Sequence, residues 1–137
     1  MIHHGDTECT EESDGVLSGQ IVGAAVEVHR RLGPGLLESS YQRCLAHELT
    51  LRGLRWEQQR EVPLCYKGVV LRSSYRIDFL AEQRVVVEVK SIELVQPIHR
   101  AQLLTYLKIL DLRVRLLINF NVETLFRGVR RMVNGYS

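Results

Sequence analysis

Three residues offer the clearest chemistry in this chain. They are Asp78, within Arg76-Ile77-Asp78-Phe79, and Glu88 and Lys90, within Glu88-Val89-Lys90. Both segments read as β-strands, and strand alternation turns residues i and i+2 to one face. Glu88 and Lys90 therefore project together, and Val85, Val87 and Val89 project to the other side. If the two segments pair as a hairpin, Asp78 meets Glu88 and Lys90 on one surface. Such a surface suits metal-assisted phosphodiester chemistry, because Mg²⁺ takes one or two carboxylates and keeps waters and substrate phosphates for the rest. A bound metal polarises the phosphoryl oxygen and lowers the pKa of its water. A lysine beside it orients that water or offsets charge developing on the phosphate. The plain alternative is a surface hairpin carrying an ordinary Glu–Lys pair, which contributes little.

The periodicity around these residues predicts an α/β fold with a mixed sheet flanked by helices. Residues 1–16 are rich in Asp, Glu, Thr, Ser and Gly and read as a disordered tail, leaving 17–137 as a single domain. Ile21, Ala25, Val28 and Leu32 fall at helical spacing, with Ser18 as N-cap and Gly33-Pro34-Gly35 as the stop. A second helix is expected over about 36–52, ending at Gly53. Strand-like segments follow over 56–66, 69–80 and 84–92, the first two joined by a Lys67-Gly68 turn. Pro97 opens a helix to about Leu110, residues 114–120 form an apolar strand, and 124–133 read as a strand or a short helix.

Polar residues interrupt two helical core stripes. In the second helix Leu37, Tyr41, Cys44, Leu45 and Leu49 form the arc expected to be buried, and Glu38 falls inside it. A buried carboxylate must be paired or bind a metal, although in a first helical turn it also meets the helix dipole favourably. Glu48 lies on the same arc, so spacing does not choose between them. In the Pro97 helix, His99, Gln102 and Tyr106 share a face with Leu103, Ile109 and Leu110, a pattern suited to the wall of a cleft. For each of these singly, a structural role is the simpler reading.

Charge and cysteine content narrow the classes. A formal charge of +2 permits nucleic-acid binding without demanding it. Any basic surface must be local, drawn from Arg113 and Arg115 or from Arg127, Arg130 and Arg131. Cys9, Cys44 and Cys65 fit neither a disulfide framework nor a zinc knuckle, which points to a reducing cytoplasm. No apolar run has the length of a membrane span, so no membrane partner is expected.

In combination these pieces resemble the PD-(D/E)XK nuclease superfamily, including its RecB-like members, and more narrowly the GxxExxY proteins. The narrower motif is Gly35-Leu36-Leu37-Glu38-Ser39-Ser40-Tyr41. Arg76-Ile77-Asp78-Phe79, Glu88-Val89-Lys90, the helix through Gln102 and Tyr106 and the strand Leu116-Leu117-Ile118-Asn119-Phe120 follow in the family order. The resemblance covers about residues 18–133 and implies an α-β-β-β-α-β core. It implies a Mg²⁺ or Mn²⁺ site lined by Glu38, Asp78 and Glu88, with Lys90 as catalytic lysine and Gln102 and Tyr106 lining the active site. Ile77 stands where the superfamily's name has proline, a position that is not a ligand. The leading expectation is a metal-dependent nuclease acting on DNA or RNA. Its competitors are a nucleic-acid-binding module without cleavage and a protein-interaction module, the latter a homodimer or bound to a partner protein.

Overall fold

The computed structural model describes residues 3–72, 76–93, 95–110 and 114–133, with side chains from residue 14 onward apart from residues 103, 106, 107, 109 and 110. Two helices come first, α1 (His3–Leu32) and α2 (Glu38–Leu51). Then follow β1 (Trp56–Glu61), β2 (Leu64–Tyr66), β3 (Val69–Leu71), β4 (Arg76–Ala81) and β5 (Val85–Lys90). The chain ends with α3 (Pro97–Leu110), β6 (Val114–Asn119), a short 3-10 helix (Leu125–Gly128) and β7 (Val129–Val133). Five strands form one mixed sheet in the order β1-β4-β5-β6-β7. Only β5 and β6 run parallel, joined by the α3 crossover, and the other neighbours are antiparallel.

The core lies between the sheet and the first two helices. Ile21, Ala24, Ala25 and Val28 of α1 and Tyr41, Leu45 and Leu49 of α2 pack on Phe79, Val85, Val87, Val89, Leu116 and Ile118. Alternation sends Leu80, Val86, Arg115 and Leu117 to the opposite face, which is also buried and where α3 packs against β6. The all-valine side of β5 is thus the core side, and Asp78, Glu88 and Lys90 stand on the other.

Several elements depart from the periodicity. α1 begins at His3, so Ser18 is interior rather than an N-cap; it is buried and its hydroxyl has no partner among the described residues. The extension is anchored by Asp14, itself buried, whose carboxylate accepts 2.9 Å and 2.5 Å bonds from the Arg84 guanidinium. The segment over 56–66 breaks after Glu61, where Pro63 brings no N–H to a ladder. Residues 64–71 instead form a separate hairpin, β2–β3, whose Lys67-Gly68 turn has both residues at positive φ, 49° and 82°. The end of the chain uses both alternatives, a 3-10 turn and then a strand.

Candidate active site

Asp78 and Glu88 face each other directly across the β4–β5 hairpin, at the point where its ladder ends. Backbone pairing runs from Ala81↔Val85 to Phe79↔Val87 and stops there. Beyond it the two carboxylates take over the bonding. Glu88 Oε1 accepts from the Asp78 N–H at 3.1 Å, and Asp78 Oδ2 accepts from the Val89 N–H at 2.7 Å. Each strand keeps its outer neighbour, β1 or β6, so the fork opens within the sheet rather than at an edge. It is an intact hairpin with its polar residues lodged in a gap, as the paired segments predict.

The electrostatics of the fork follow from burial. Glu88 is only 5% exposed, and Asp78 is half-buried. Desolvation, then the Asp78 carboxylate beside it, pushes the Glu88 carboxyl up to about 8. Desolvation also raises Asp78, against the pull of the Val89 N–H and the Lys90 ammonium, while Glu38 adds to the rise. Two carboxyls made reluctant to ionise by burial and by each other form a site that a cation would relieve.

Glu38 approaches from the first turn of α2. Its Oε1 accepts from the Ser91 N–H at 3.4 Å, one residue beyond Lys90. Glu48, its rival on the helical arc, turns away to a 3.0 Å ion pair with Arg52. Leu37, expected in the buried arc, is instead 74% exposed, because it is the N-cap and precedes the helical turn. Gln102 is half-buried on α3, while the Tyr106 side chain lies outside the described residues. His99 Nδ1 accepts from the Gln96 N–H at 3.0 Å, which gives it a structural role at the start of α3.

Three further residues shape the site and were not placed in it by the sequence. Asn119, at the end of β6, is buried and bridges the chain just after Lys90: its Oδ1 accepts from Ile92 N–H at 3.1 Å and its Nδ2 donates to Ile92 O at 2.8 Å. An asparagine within the apolar run 114–120 was the available signal. Ser91 Oγ donates to Leu36 O at 2.6 Å, joining the end of β5 to the loop before α2. Arg115, expected among candidates for a basic surface, is fully buried instead, on the second position of β6. Its three guanidinium nitrogens have no partner among the described residues, and burial lowers its pKa to about 9, partly offset by Glu88. Arg127, Arg130 and Arg131 are exposed, and Arg113 lies outside the described residues.

A protein-family model described as the PD-(D/E)XK nuclease superfamily matches residues 16–132, most of the chain. The chain belongs to the PD-(D/E)XK nuclease superfamily. No curated protein and no solved structure gives a significant match. Asp78 and Glu88-Val89-Lys90 spell the lettered residues of a PD-(D/E)XK chain, with Ile77 in place of the proline. The mixed sheet between helices is the architecture of a PD-(D/E)XK nuclease. Membership suggests nuclease activity and nucleic-acid binding.

PD-(D/E)XK nucleases generally use divalent metals. The donors here fit a hard cation: both are carboxylates, they lie opposite one another, and their repulsion favours a bound positive charge. Among the described residues no three His, Cys, Asp or Glu side chains converge closely enough to form a cage. The fit is therefore to an ion that keeps waters and substrate oxygens in its shell, as Mg²⁺ does. Among the described residues no helix is long and apolar enough to cross a membrane.

Proposed function

We propose that this chain is a Mg²⁺- or Mn²⁺-dependent nuclease that hydrolyses phosphodiester bonds in DNA or RNA. The observation that carries the reading is the fork, with Asp78 opposite Glu88 and Lys90 two residues further along the strand. In this reading Asp78 and Glu88 hold the metal, and Glu38 adds a ligand or positions a water. The metal, when bound, supplies charge for the phosphoryl oxygen and a more acidic water. Lys90 orients that water and offsets charge on the phosphate. Gln102 and Tyr106 line the substrate side from α3, as the resemblance to RecB-like members implies.

The GxxExxY assignment gains a physical rationale. Gly35 sits at φ 98°, Glu38 meets Ser91, and the Tyr41 hydroxyl donates to Gly33 O at 2.5 Å and accepts from Leu36 N–H at 3.2 Å. The motif thus builds a loop that reaches the end of the catalytic strand. We assign the activity to a single domain over 17–137, to which the start of α1 adds a helical extension packed through the buried Asp14 in place of the expected disordered tail, and place it in a reducing cytoplasm, where Cys44 and Cys65 stay free thiols.

The test is cleavage of labelled single- and double-stranded DNA and RNA by purified protein with Mg²⁺, Mn²⁺ or EDTA. Lys90→Ala, prepared identically, controls for contaminating nucleases. Metal-dependent cleavage lost in the variant supports the reading; equal cleavage by both proteins rejects it. One observation favours a second reading, a protein-interaction module that dimerises or binds another protein. The β2–β3 hairpin exposes Tyr66, Val69, Val70 and Leu71 at 62%, 55%, 72% and 45%. Self-association abolished by Val70→Lys, without turnover on any substrate, would favour it.

A further inference from the structure

Between Glu123 and Arg131 the chain gathers Arg127, Arg130 and Arg131 against a single carboxylate. That local surplus of +2 equals the formal charge of the whole chain, so the remainder is balanced. Arg30, Arg31, Arg52, Arg55, Arg60 and Arg76 each pair with a glutamate. Among the described residues the three arginines at 127, 130 and 131 form no ion pair, and neither does Glu123. Phe126 stands among them, 67% exposed. Charges on an edge strand such as β7 commonly serve to block pairing with other chains. That role asks nothing of Phe126 or Arg127, which precede the strand.

The turn that carries Phe126 and Arg127 is anchored. Leu125 is buried in the core, and His29 Nε2 donates to Val122 O at 2.7 Å. Gly128 lies so close to Asn119 that a Cβ would stand 2.0 Å from its carbonyl oxygen. Leu125 and Gly128 face inward, which turns Phe126 and Arg127 outward. Arg130 folds back on the same turn. Its Nη1 donates to Arg127 O and Val129 O, both at 3.0 Å, leaving Nε and Nη2 free for a ligand. Groups held in place lose little freedom on binding. Arg130 pairs with Leu117, and Leu117 with Glu88, so Arg130 shares the fork's face, two strand spacings or about 10 Å away. Arg131 pairs with Leu116 and faces the other way. Because α3 packs on β6, the route from the fork follows the strand ends: Lys90 pairs with Asn119, and Asn119 touches Gly128.

We propose that Phe126, Arg127 and Arg130 form a platform that holds a single-stranded segment of nucleic acid leading out of the fork. Phe126 stacks on one base, and the two guanidiniums take the flanking phosphates. That the strand continues into the fork rests on the nuclease reading; binding at the platform does not. An aromatic ring stacks on a base only where the base has left its duplex neighbours. The platform therefore selects a free strand, an end or a flap over a duplex interior. An acidic peptide would answer the charge and leave the ring without a flat partner.

The experiment measures fluorescence anisotropy of labelled oligodeoxythymidylate, alone and annealed to oligodeoxyadenylate, in EDTA over a series of salt concentrations. Phe126→Ala should weaken binding of the single strand about ten-fold and leave the duplex nearly unchanged. Phe126→Trp should restore the affinity, with its added fluorescence quenched by the single strand. Replacing Arg127 and Arg130 together by Gln should flatten the dependence of log K on log salt by about 1.4, two phosphate contacts' worth on a single strand. Melting temperatures should stay at the wild-type value, since all three side chains are exposed. No binding of the single strand by wild type, full affinity in Phe126→Ala, an unchanged salt slope, or displacement by polyglutamate as effective as by unlabelled strand overturns the proposal. Anisotropy needs no turnover, so the absence of cleavage on every substrate would sink the nuclease reading and leave this result interpretable. Where cleavage is present, Phe126→Ala should raise KM for single strands far more than it lowers kcat.

Discussion

Glu88→Gln tests the fork where its energetics are sharpest. The Glu88 carboxyl is raised from 4.5 to about 8 by burial and by Asp78. Between those values the folded protein holds a proton that the unfolded chain releases. Stability from this group is therefore full below pH 4.5, falls as the pH rises, and is gone above about 8. At roughly 1.4 kcal/mol per pH unit the whole window amounts to at most about 5 kcal/mol. Asp78 takes up part of it, because adjoining carboxyls titrate as a pair, and about 2–3 kcal/mol is the expected share. The glutamine amide keeps an oxygen for the Asp78 N–H and cannot ionise. Thermal melts in EDTA should show the two proteins alike near pH 5, with the variant higher by about 10 °C near pH 9. Adding Mn²⁺ at the higher pH should stabilise wild type and leave the variant unmoved, since the ion requires the ionised carboxylate. Parallel melting curves across the range, or a variant that melts lower at high pH, would refute this account of the fork.

Arg115→Met should raise the melting temperature in EDTA, by about 1–3 kcal/mol of stability, because it removes a buried charge without breaking a bond among the described residues; a clear drop would reveal a partner that the guanidinium depends on. Gly128→Ala should cost about 3 kcal/mol or more in urea unfolding. A Cβ there would stand 2.0 Å from Asn119 O, and that backbone also sets the Asn119–Ile92 bridge behind Lys90. An unchanged urea midpoint would contradict it.

The fork was legible because its signals are local. Alternation puts Glu88 and Lys90 on one face of their strand, and the short connection after Ala81 leaves a hairpin, which brings Asp78 to that face, as the natural geometry. The Gly33-Pro34-Gly35 stop and the Lys67-Gly68 turn were readable for the same reason, since the residues concerned carry their backbone preferences with them. What escaped depends on distant partners. Asp14 becomes part of α1's packed portion through Arg84, 70 residues away in sequence. Arg115 reads as surface charge because alternation assigns a face without saying what covers it. Glu38 and Glu48 were indistinguishable by helical angle and were separated only by Ser91 and Arg52. Leu37 went outward because a stripe argument assumes a helical backbone, and the helix had not yet begun.

The placement of β5 has a consequence for how the protein is made. Its parallel neighbour β6 is synthesised only after α3, so while the chain grows β5 is an uncovered edge. Val85-Val86-Val87 followed by Val89 is the kind of β-prone apolar strand that pairs with other chains. Glu88 and Lys90 interrupt it with charges that face away from the core. The residues assigned to chemistry thereby also act as gatekeepers against aggregation. Substituting either with an apolar residue removes a group of the candidate active site and a solubility device together. Loss of soluble yield in such variants would then reflect the exposed life of one strand during biogenesis, before any substrate is met.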